Sequence, residues 1–138
     1  RAIDFMYGWF MDPLTKGDYP QSMRSLVRTR LPKFTKAQAR QLIGSYDFIG
    51  LNYYSSGYAS DAPQLSNARP SYQTDSLAAI SFVRNGKPIG LNVASDWLYV
   101  YPKGIQNLLL YTKEKYNNPL IFITENGINE YDDPKLSL

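Results

Sequence analysis

The chain of 138 residues contains neither cysteine nor histidine. Without cysteine there are no disulfides and no thiolate metal sites, and without histidine there are no histidine-based catalytic triads and no histidine metal ligands. No apolar run approaches the roughly 20 residues that a membrane-spanning helix needs. Any chemistry must therefore depend on carboxylates, tyrosines, amides or the backbone.

The composition is that of a globular protein, with 43% hydrophobic and 20% charged residues, and the length fits one domain. The net charge of +3 is modest. The densest basic stretch carries no RNA-binding or helix-turn-helix signature, so we expect no nucleic-acid partner and no membrane partner. Twelve tyrosines and two tryptophans suit sugar faces, but they also suit cores and protein interfaces.

The chain has no initiating methionine, and an apolar pattern typical of a helix is present from its first residues, R-A-I-D-F-M-Y-G-W-F. This favours a piece of a longer chain, from which any targeting segment would be lost. The sequence therefore leaves the compartment and the oligomeric state open.

Four helices are predicted from apolar spacing and end signals. A largely buried helix covers residues 1–11 and stops at Asp12-Pro13, and a second covers residues 21–29. Thr35 and Gln38 form a capping box that opens a third helix, which ends near Gly44. The fourth begins with Pro102 in its first turn.

Two short, continuously apolar strands are predicted at residues 48–52 and 120–124, each after a helix. Such strands are typical of a parallel sheet that is covered on both faces, which indicates an α/β fold built from βα units. Functional groups in such folds lie after the strands, where N-Y-Y and E-N-G stand here. The long polar segment at residues 55–95 contains a predicted hairpin around Asn85-Gly86.

Glu125 ends the second strand, L-I-F-I-T, with a lone charge. Burying an unpaired carboxylate costs on the order of several kcal/mol, so this residue is either a partly exposed, paired loop carboxylate or a group held for chemistry. Without histidine or cysteine, the chemistry that most naturally uses carboxylates in pairs is glycoside hydrolysis. Glu130 does not qualify as the second carboxylate, because it lies on the same loop.

Four blocks of the sequence together resemble glycoside hydrolase family 1, the family of plant β-glucosidases. They are D-F-M-Y-G-W-F-M-D-P-L-T-K-G-D-Y-P, S-Y-D-F-I-G-L-N-Y-Y-S, S-D-W-L-Y-V-Y-P-K-G and I-T-E-N-G, in the order of that family. The resemblance covers essentially the whole chain and is nearest to plant members that cleave cyanogenic and other defence glucosides. It implies part of a single catalytic (β/α)8 (TIM) barrel domain over residues 1–138, from about the fifth helix to the loop after the seventh strand.

The resemblance also implies roles for four residues. Glu125 matches the catalytic nucleophile, and Tyr54 matches the phenol that hydrogen-bonds this carboxylate; from the residues alone, Tyr54 reads as a rim aromatic. Asn52 matches a position beside the glucose site, whereas its other reading is a turn-forming amide. Trp97 matches the aromatic platform for the aglycone, whereas its other reading is an ordinary buried tryptophan.

The implied function is that of a retaining β-glucosidase acting on a small β-glucoside without a metal or organic cofactor. The family's acid/base glutamate, in an N-E-P motif, is not among these 138 residues, so the chain alone is expected to be inactive. A transglucosidase, a thioglucosidase or a non-catalytic sugar-binding relative remain alternatives. The resemblance suggests a secretory, vacuolar or plastid setting in a plant.

Overall fold

A computed structural model of the chain describes residues 1–132, 134 and 135. The α-helices of this part are α1 (Trp9–Lys16), α2 (Gln21–Val27), α3 (Lys36–Leu42) and α4 (Pro102–Lys115). A π-helical segment, Asp4–Gly8, precedes α1, and the 3₁₀ turns are Arg28–Arg30 and Pro63–Asn67. The strands are β1 (Ile49–Asn52), β2 (Tyr58–Asp61), β3 (Ala78–Ser81), β4 (Val83–Arg84), β5 (Lys87–Pro88), β6 (Leu91–Asn92), β7 (Tyr99–Val100) and β8 (Ile121–Glu125).

The two predicted apolar strands pair with each other as parallel neighbours, β1 beside β8. Helices cover one face of this pair, where Ile49 packs in a buried cluster with Met11 of α1 and Tyr116, the residue after α4. Ile121 of β8 packs against the same cluster. The chain therefore contains the predicted βα arrangement, with its carboxyl strand ends at one edge.

The opposite face of the pair is open in the described residues. Phe48 and Phe122 meet edge to face at 5.2 Å between ring centroids, yet each is about half exposed. The expectation of cover on both faces thus holds for one face only. Met6 and Phe10 in the first helical segment are also exposed, at 73% and 66%, so the prediction of a largely buried helix there is wrong.

The first helix continues past Asp12-Pro13 to Lys16, so the predicted stop is also wrong. Pro13 removes a single backbone donor, whereas the buried Asp12 carboxylate accepts a 2.7 Å hydrogen bond from the Tyr116 hydroxyl. The tertiary hydrogen bond between Asp12 and Tyr116 thus outweighs the local tendency of proline to end the helix. Gly17 ends the helix in the left-handed conformation at φ 75°.

The end signals of α3 and α4 are confirmed. Thr35 and Gln38 form both bonds of a capping box before α3. Pro102 occupies the first turn of α4, and Asn117 and Asn118 follow this helix with positive φ angles. Gly44, with φ 72°, lies in the turn from α3 to β1, as Asn117 and Asn118 lie in the turn from α4 to β8.

The segment predicted as a long polar loop contains the predicted hairpin and the β2–β3 pair, and its last strand, β6, pairs with β7 just beyond it. Val83–Arg84 and Lys87–Pro88 pair antiparallel around Asn85 and Gly86, whose φ angles of 53° and 73° fit a type I′ turn. The antiparallel pairs β2–β3 and β6–β7 were not predicted. Their strands are short and lack a clear apolar alternation, so the sequence signal was weak.

An ionic cluster joins the first helical segments to the end of α4. Lys115 Nζ lies 3.0 Å from Asp4 Oδ1, 3.3 Å from Asp12 Oδ1 and 2.8 Å from the Tyr111 hydroxyl. Burial lowers the pKa of Lys115, but its hydrogen bonds to Tyr111 and Asp4 outweigh this, and the pKa is raised well above its usual value. Burial and the hydrogen bond to Asp12 raise the pKa of Tyr116.

The Arg28–Arg30 turn contains a strained residue. Arg28 has φ 55° and ψ −123°, a conformation that suits glycine. A residue held in such a region costs about 1–3 kcal/mol.

We predict that Arg28→Gly raises the free energy of unfolding by about 1 kcal/mol, because relief of strain exceeds the cost of glycine's extra freedom in the unfolded chain. Urea unfolding of the full-length protein that carries these residues measures the change. Thr29→Gly is the matched control, since Thr29 has no positive φ angle. It should lower the free energy of unfolding, and an equal effect of both substitutions would contradict the assignment of strain.

We also predict that stability falls as the pH rises above about 10, the range in which unfolded tyrosine and lysine lose their protons. The folded state holds the protons of Lys115 and Tyr116 more tightly, so their contribution is complete below that range and is lost above it. Each group adds a slope of about 1.4 kcal/mol per pH unit where only the unfolded state has lost the proton.

The measurement is the free energy of unfolding as a function of alkaline pH. Lys115→Met and Tyr116→Phe should each make the decline shallower. Lys113→Met removes an exposed lysine from the same helical turn and should keep the wild-type slope. A parallel decline in all three variants would exclude the cluster as its source.

Candidate active site

Glu125 is the last residue of β8, and it pairs in register with Asn52, the last residue of β1. Parallel strands bring their carboxyl ends to one edge, so the tails N-Y-Y and E-N-G become neighbours although 71 positions separate Tyr54 from Glu125. The structure therefore assembles this site at the place where the sequence predicts it.

Tyr54 donates a 2.6 Å hydrogen bond from its hydroxyl to Glu125 Oε2. This bond raises the pKa of Tyr54, because a phenolate beside the carboxylate would be repelled. The phenol therefore stays protonated and remains a donor over the neutral range. Both side chains are exposed at the strand edge, where a ligand can reach them.

The ladder between β1 and β8 is regular up to Leu51, which pairs with Ile123, and then shifts by one residue so that Asn52 pairs with Glu125. Thr124 is the extra residue of this bulge. Its hydroxyl donates a 2.7 Å hydrogen bond to Asn52 Oδ1. Bulges of this kind occur next to active sites and redirect side chains.

Tyr53 joins the two strand ends through its backbone. Its N–H donates to the Glu125 carbonyl at 2.9 Å, and its carbonyl accepts a 2.7 Å hydrogen bond from Asn126 Nδ2. The ring is buried, and its hydroxyl lies 2.7 Å from Ser56 Oγ. Gly104 of α4 leaves room for this hydroxyl, since a Cβ there would lie 2.1 Å from it.

Trp97 lies beside the hydrogen-bonded pair of Tyr54 and Glu125. Its ring meets the Tyr54 ring edge to face, with 6.4 Å between the centroids, and it is 54% exposed. This exposure contradicts the alternative interpretation of Trp97 as an ordinary buried tryptophan. Asn129 in the loop after β8 bonds Ser95 near the start of the Trp97 segment, so the two loops are tied together.

The four predicted site residues thus lie together: Glu125, Tyr54, Asn52 and Trp97. Sequence reasoning missed the parts played by Tyr53, Thr124 and Asn129, and it gave Asn126 no role in binding or catalysis. The position of Tyr53 was readable, because large residues alternate with a small and a polar one in I-G-L-N-Y, and the structure buries Ile49, Leu51 and Tyr53. No feature of the sequence predicted the bulge.

The site is an open edge rather than a closed cavity in the described residues. A cavity of about 680 Å³ lies elsewhere, between α2 and α3, and is lined by residues such as Tyr19, Arg28 and Phe34. Glu125 and Tyr54 do not line it. The hydrogen-bonded carboxylate is the more informative feature, because it places a reactive group on a rigid strand.

An exposed carboxylate with one oxygen held by a phenol has its second oxygen available as a nucleophile or base. Glu130 is exposed on the following loop, five positions beyond Glu125. Among the described residues, no group of three or more acidic side chains could hold a metal ion, and no helix is long and apolar enough to cross a membrane.

Residues 1–136 match the sequence profile of the family named Glycosyl hydrolase family 1. The chain belongs to this family. Beta-glucosidase 24 of Oryza sativa subsp. japonica is 62% identical over 138 residues, which are 100% of this chain and 27% of that protein. The cyanogenic beta-glucosidase of Trifolium repens is 63% identical over 129 residues, which are 94% of this chain and 30% of that protein.

Solved structures agree with the sequence relatives. A rice β-glucosidase superposes with a TM-score of 0.89 at 39% identity, covering 99% of this chain and 29% of that one. A β-glucosidase of the fungus Humicola insolens, solved with glucose, has a TM-score of 0.84 at 33% identity and covers 93% and 26%. These likenesses confirm the predicted partial (β/α)8 barrel, and the chain spans less than a third of each relative's length.

Proposed function

We propose that residues 1–138 are part of the single (β/α)8 catalytic domain of a retaining β-glucosidase, in which Glu125 is the nucleophile. The observation that carries the proposal is the 2.6 Å hydrogen bond from Tyr54 to Glu125 at the carboxyl edge of two parallel strands. Family membership supports the substrate class, a small β-glucoside. The names of the plant relatives fit a β-glucosidase of the same type.

In the proposed reaction, a Glu125 oxygen attacks the anomeric carbon of the glucoside. The bond from that carbon to Glu125 forms while the bond to the aglycone oxygen breaks, and an acid elsewhere in the full-length protein protonates the departing oxygen. Water then attacks the same carbon, releasing glucose and restoring the carboxylate. Two inversions at one carbon give net retention of configuration.

Tyr54 orients the nucleophile. Because its hydroxyl holds Oε2 of Glu125, rotation of the carboxylate is restricted and the other oxygen is left to attack.

Asn52 and Trp97 are proposed to bind substrate on either side of this pair. The Asn52 oxygen accepts from Thr124, which leaves the amide N–H groups able to donate to a sugar hydroxyl. The exposed Trp97 ring provides a flat surface for an aglycone. Contact between its ring and Tyr54 supports a location of that surface beside the reacting carbon.

We predict that Glu125→Gly in the full-length protein lowers kcat for an aryl β-glucoside by on the order of 10⁴-fold or more, because no covalent intermediate can form. Azide should restore turnover of an activated aryl glucoside and yield the α-glucosyl azide, since a small anion can fill the space of the lost carboxylate. Product analysis by NMR identifies the anomer.

Glu130→Gln is the matched control, because Glu130 lies on the same loop without a proposed role. It should retain wild-type kcat. Labelling with a 2-deoxy-2-fluoro-β-glucoside and mass spectrometry of the peptides provide an independent check. Activity that survives Glu125→Gly, or a label on another residue, would refute the nucleophile assignment.

We further predict that the 138 residues alone do not turn over an aryl glucoside and do not fold cooperatively. The N-E-P glutamate is not among them, and Phe48 and Phe122 on the open face of the strand pair are about half exposed. Assay and urea unfolding of the purified chain, beside the full-length protein as control, test this. Measurable turnover by the isolated chain would contradict it.

A further inference from the structure

The bulge at the end of β8 determines which way Glu125 points. Ile121 lies on the helix-covered side with Ile49, whereas Phe122 contacts Phe48 on the open side. Side chains alternate along a regular strand, so an unbroken ladder would place Thr124 on the open side and Glu125 on the helix-covered side.

Glu125 is found on the open side instead, together with Thr124. Thr124 bonds the Asn52 side chain, and a Cβ on Gly50 would lie 3.1 Å from Thr124 Cγ2. The next residue, Glu125, bonds the hydroxyl of Tyr54, which lies two positions after Asn52, beyond the end of β1. Two consecutive residues therefore share one face, and the one-residue shift in register makes this possible.

Two side-chain hydrogen bonds hold this arrangement, one before Glu125 and one after it. The Thr124 hydroxyl donates to Asn52 Oδ1 at 2.7 Å, and Asn126 Nδ2 donates to the Tyr53 carbonyl at 2.7 Å. Between them, the Tyr53 N–H binds the Glu125 carbonyl at 2.9 Å. Each neighbour of Glu125 is thereby fixed to β1 by a bond that a regular ladder does not supply.

We propose that Thr124 and Asn126 are positioning residues that lock the bulge and so aim the Glu125 carboxylate at Tyr54 and at the substrate. This inference rests on the proposed function of Glu125. Loss of either lock lets the strand end relax toward regular pairing, which turns the carboxylate away from the open face. A displacement of about 1 Å in a reacting group can cost about 10²-fold in rate.

The test isolates the attack by Glu125 from the rest of catalysis. The full-length protein is treated with 2,4-dinitrophenyl 2-deoxy-2-fluoro-β-glucoside, whose leaving group departs as dinitrophenolate while the anomeric carbon bonds to Glu125. The rate constant of labelling at saturation reports attack, and the half-saturating concentration reports binding. The variants are Thr124→Val, Thr124→Ser and Asn126→Asp.

Thr124→Val keeps the shape of the side chain but removes the hydroxyl, and Asn126→Asp replaces the donor by an acceptor that faces the Tyr53 carbonyl. We expect each to lower the saturating rate constant about 10- to 100-fold, with less than about threefold change in the half-saturating concentration. Thr124→Ser retains the hydroxyl and should label within about threefold of the wild type. A general loss of folded protein would not give this split between rate and binding.

Wild-type rate constants in both Thr124→Val and Asn126→Asp would overturn the proposal, as would an equal loss in Thr124→Ser and Thr124→Val. If Asn126→Asp does not fold, the comparison of Thr124→Val with Thr124→Ser tests the proposal. Thr124 is exposed, so we expect both of these variants to fold. If the wild type carries its label on a residue other than Glu125, the proposed function itself fails. A wild type labelled on Glu125 with unaffected variants rejects only the positioning roles.

Discussion

The parallel hydrogen bonding between β1 and β8 brings together residues that are far apart in sequence. It begins with Ile49 beside Ile121 and ends, after one shift of register, with Asn52 beside Glu125. Because both strands run the same way, their polar tails leave the sheet at the same edge. The hydrogen bond between Tyr54 and Glu125, the contact of Trp97 with Tyr54 and the bond from Asn126 to Tyr53 all presuppose this pairing.

In the part of the chain that the structure describes, the helices support the pairing from one side. The α1 and α4 segments pack on Ile49, and the ionic cluster around Lys115 and Asp12 fixes the end of α4 shortly before β8 begins. The strand that carries Glu125 is therefore anchored at its start by the packing of Ile121 on the helical cluster and at its finish by hydrogen bonds to β1. A carboxylate mounted in this way has little freedom to adjust, which fits the nucleophile role proposed for Glu125.

Much of this could be predicted from the sequence, because the relevant signals are local. Apolar runs gave β1 and β8, a capping box gave α3, and Asn85-Gly86 gave the hairpin. The end of the first helix was mispredicted, since the bond between Asp12 and Tyr116 spans 104 positions. The bulge was missed for a related reason. It depends on how the two strands pair, and the sequence of neither strand alone indicates it. Resemblance to a family supplied the site residues, and geometry then showed how their neighbours hold them.

The adjacent tyrosines of N-Y-Y carry a consequence for the assembly of the molecule. Tyr53 is buried with its hydroxyl beside Gly104, and Tyr54 is exposed with its hydroxyl on Glu125. Two chemically identical side chains thus occupy opposite faces of the sheet, and a slip of one residue in β1 would exchange them. Such a slip would also turn the Asn52 amide to the helix-covered side, away from the Thr124 hydroxyl from which it accepts a hydrogen bond. Correct packing of Ile49, Leu51 and Tyr53 on the helix-covered side therefore also brings the Tyr54 hydroxyl to Glu125 at the strand edge.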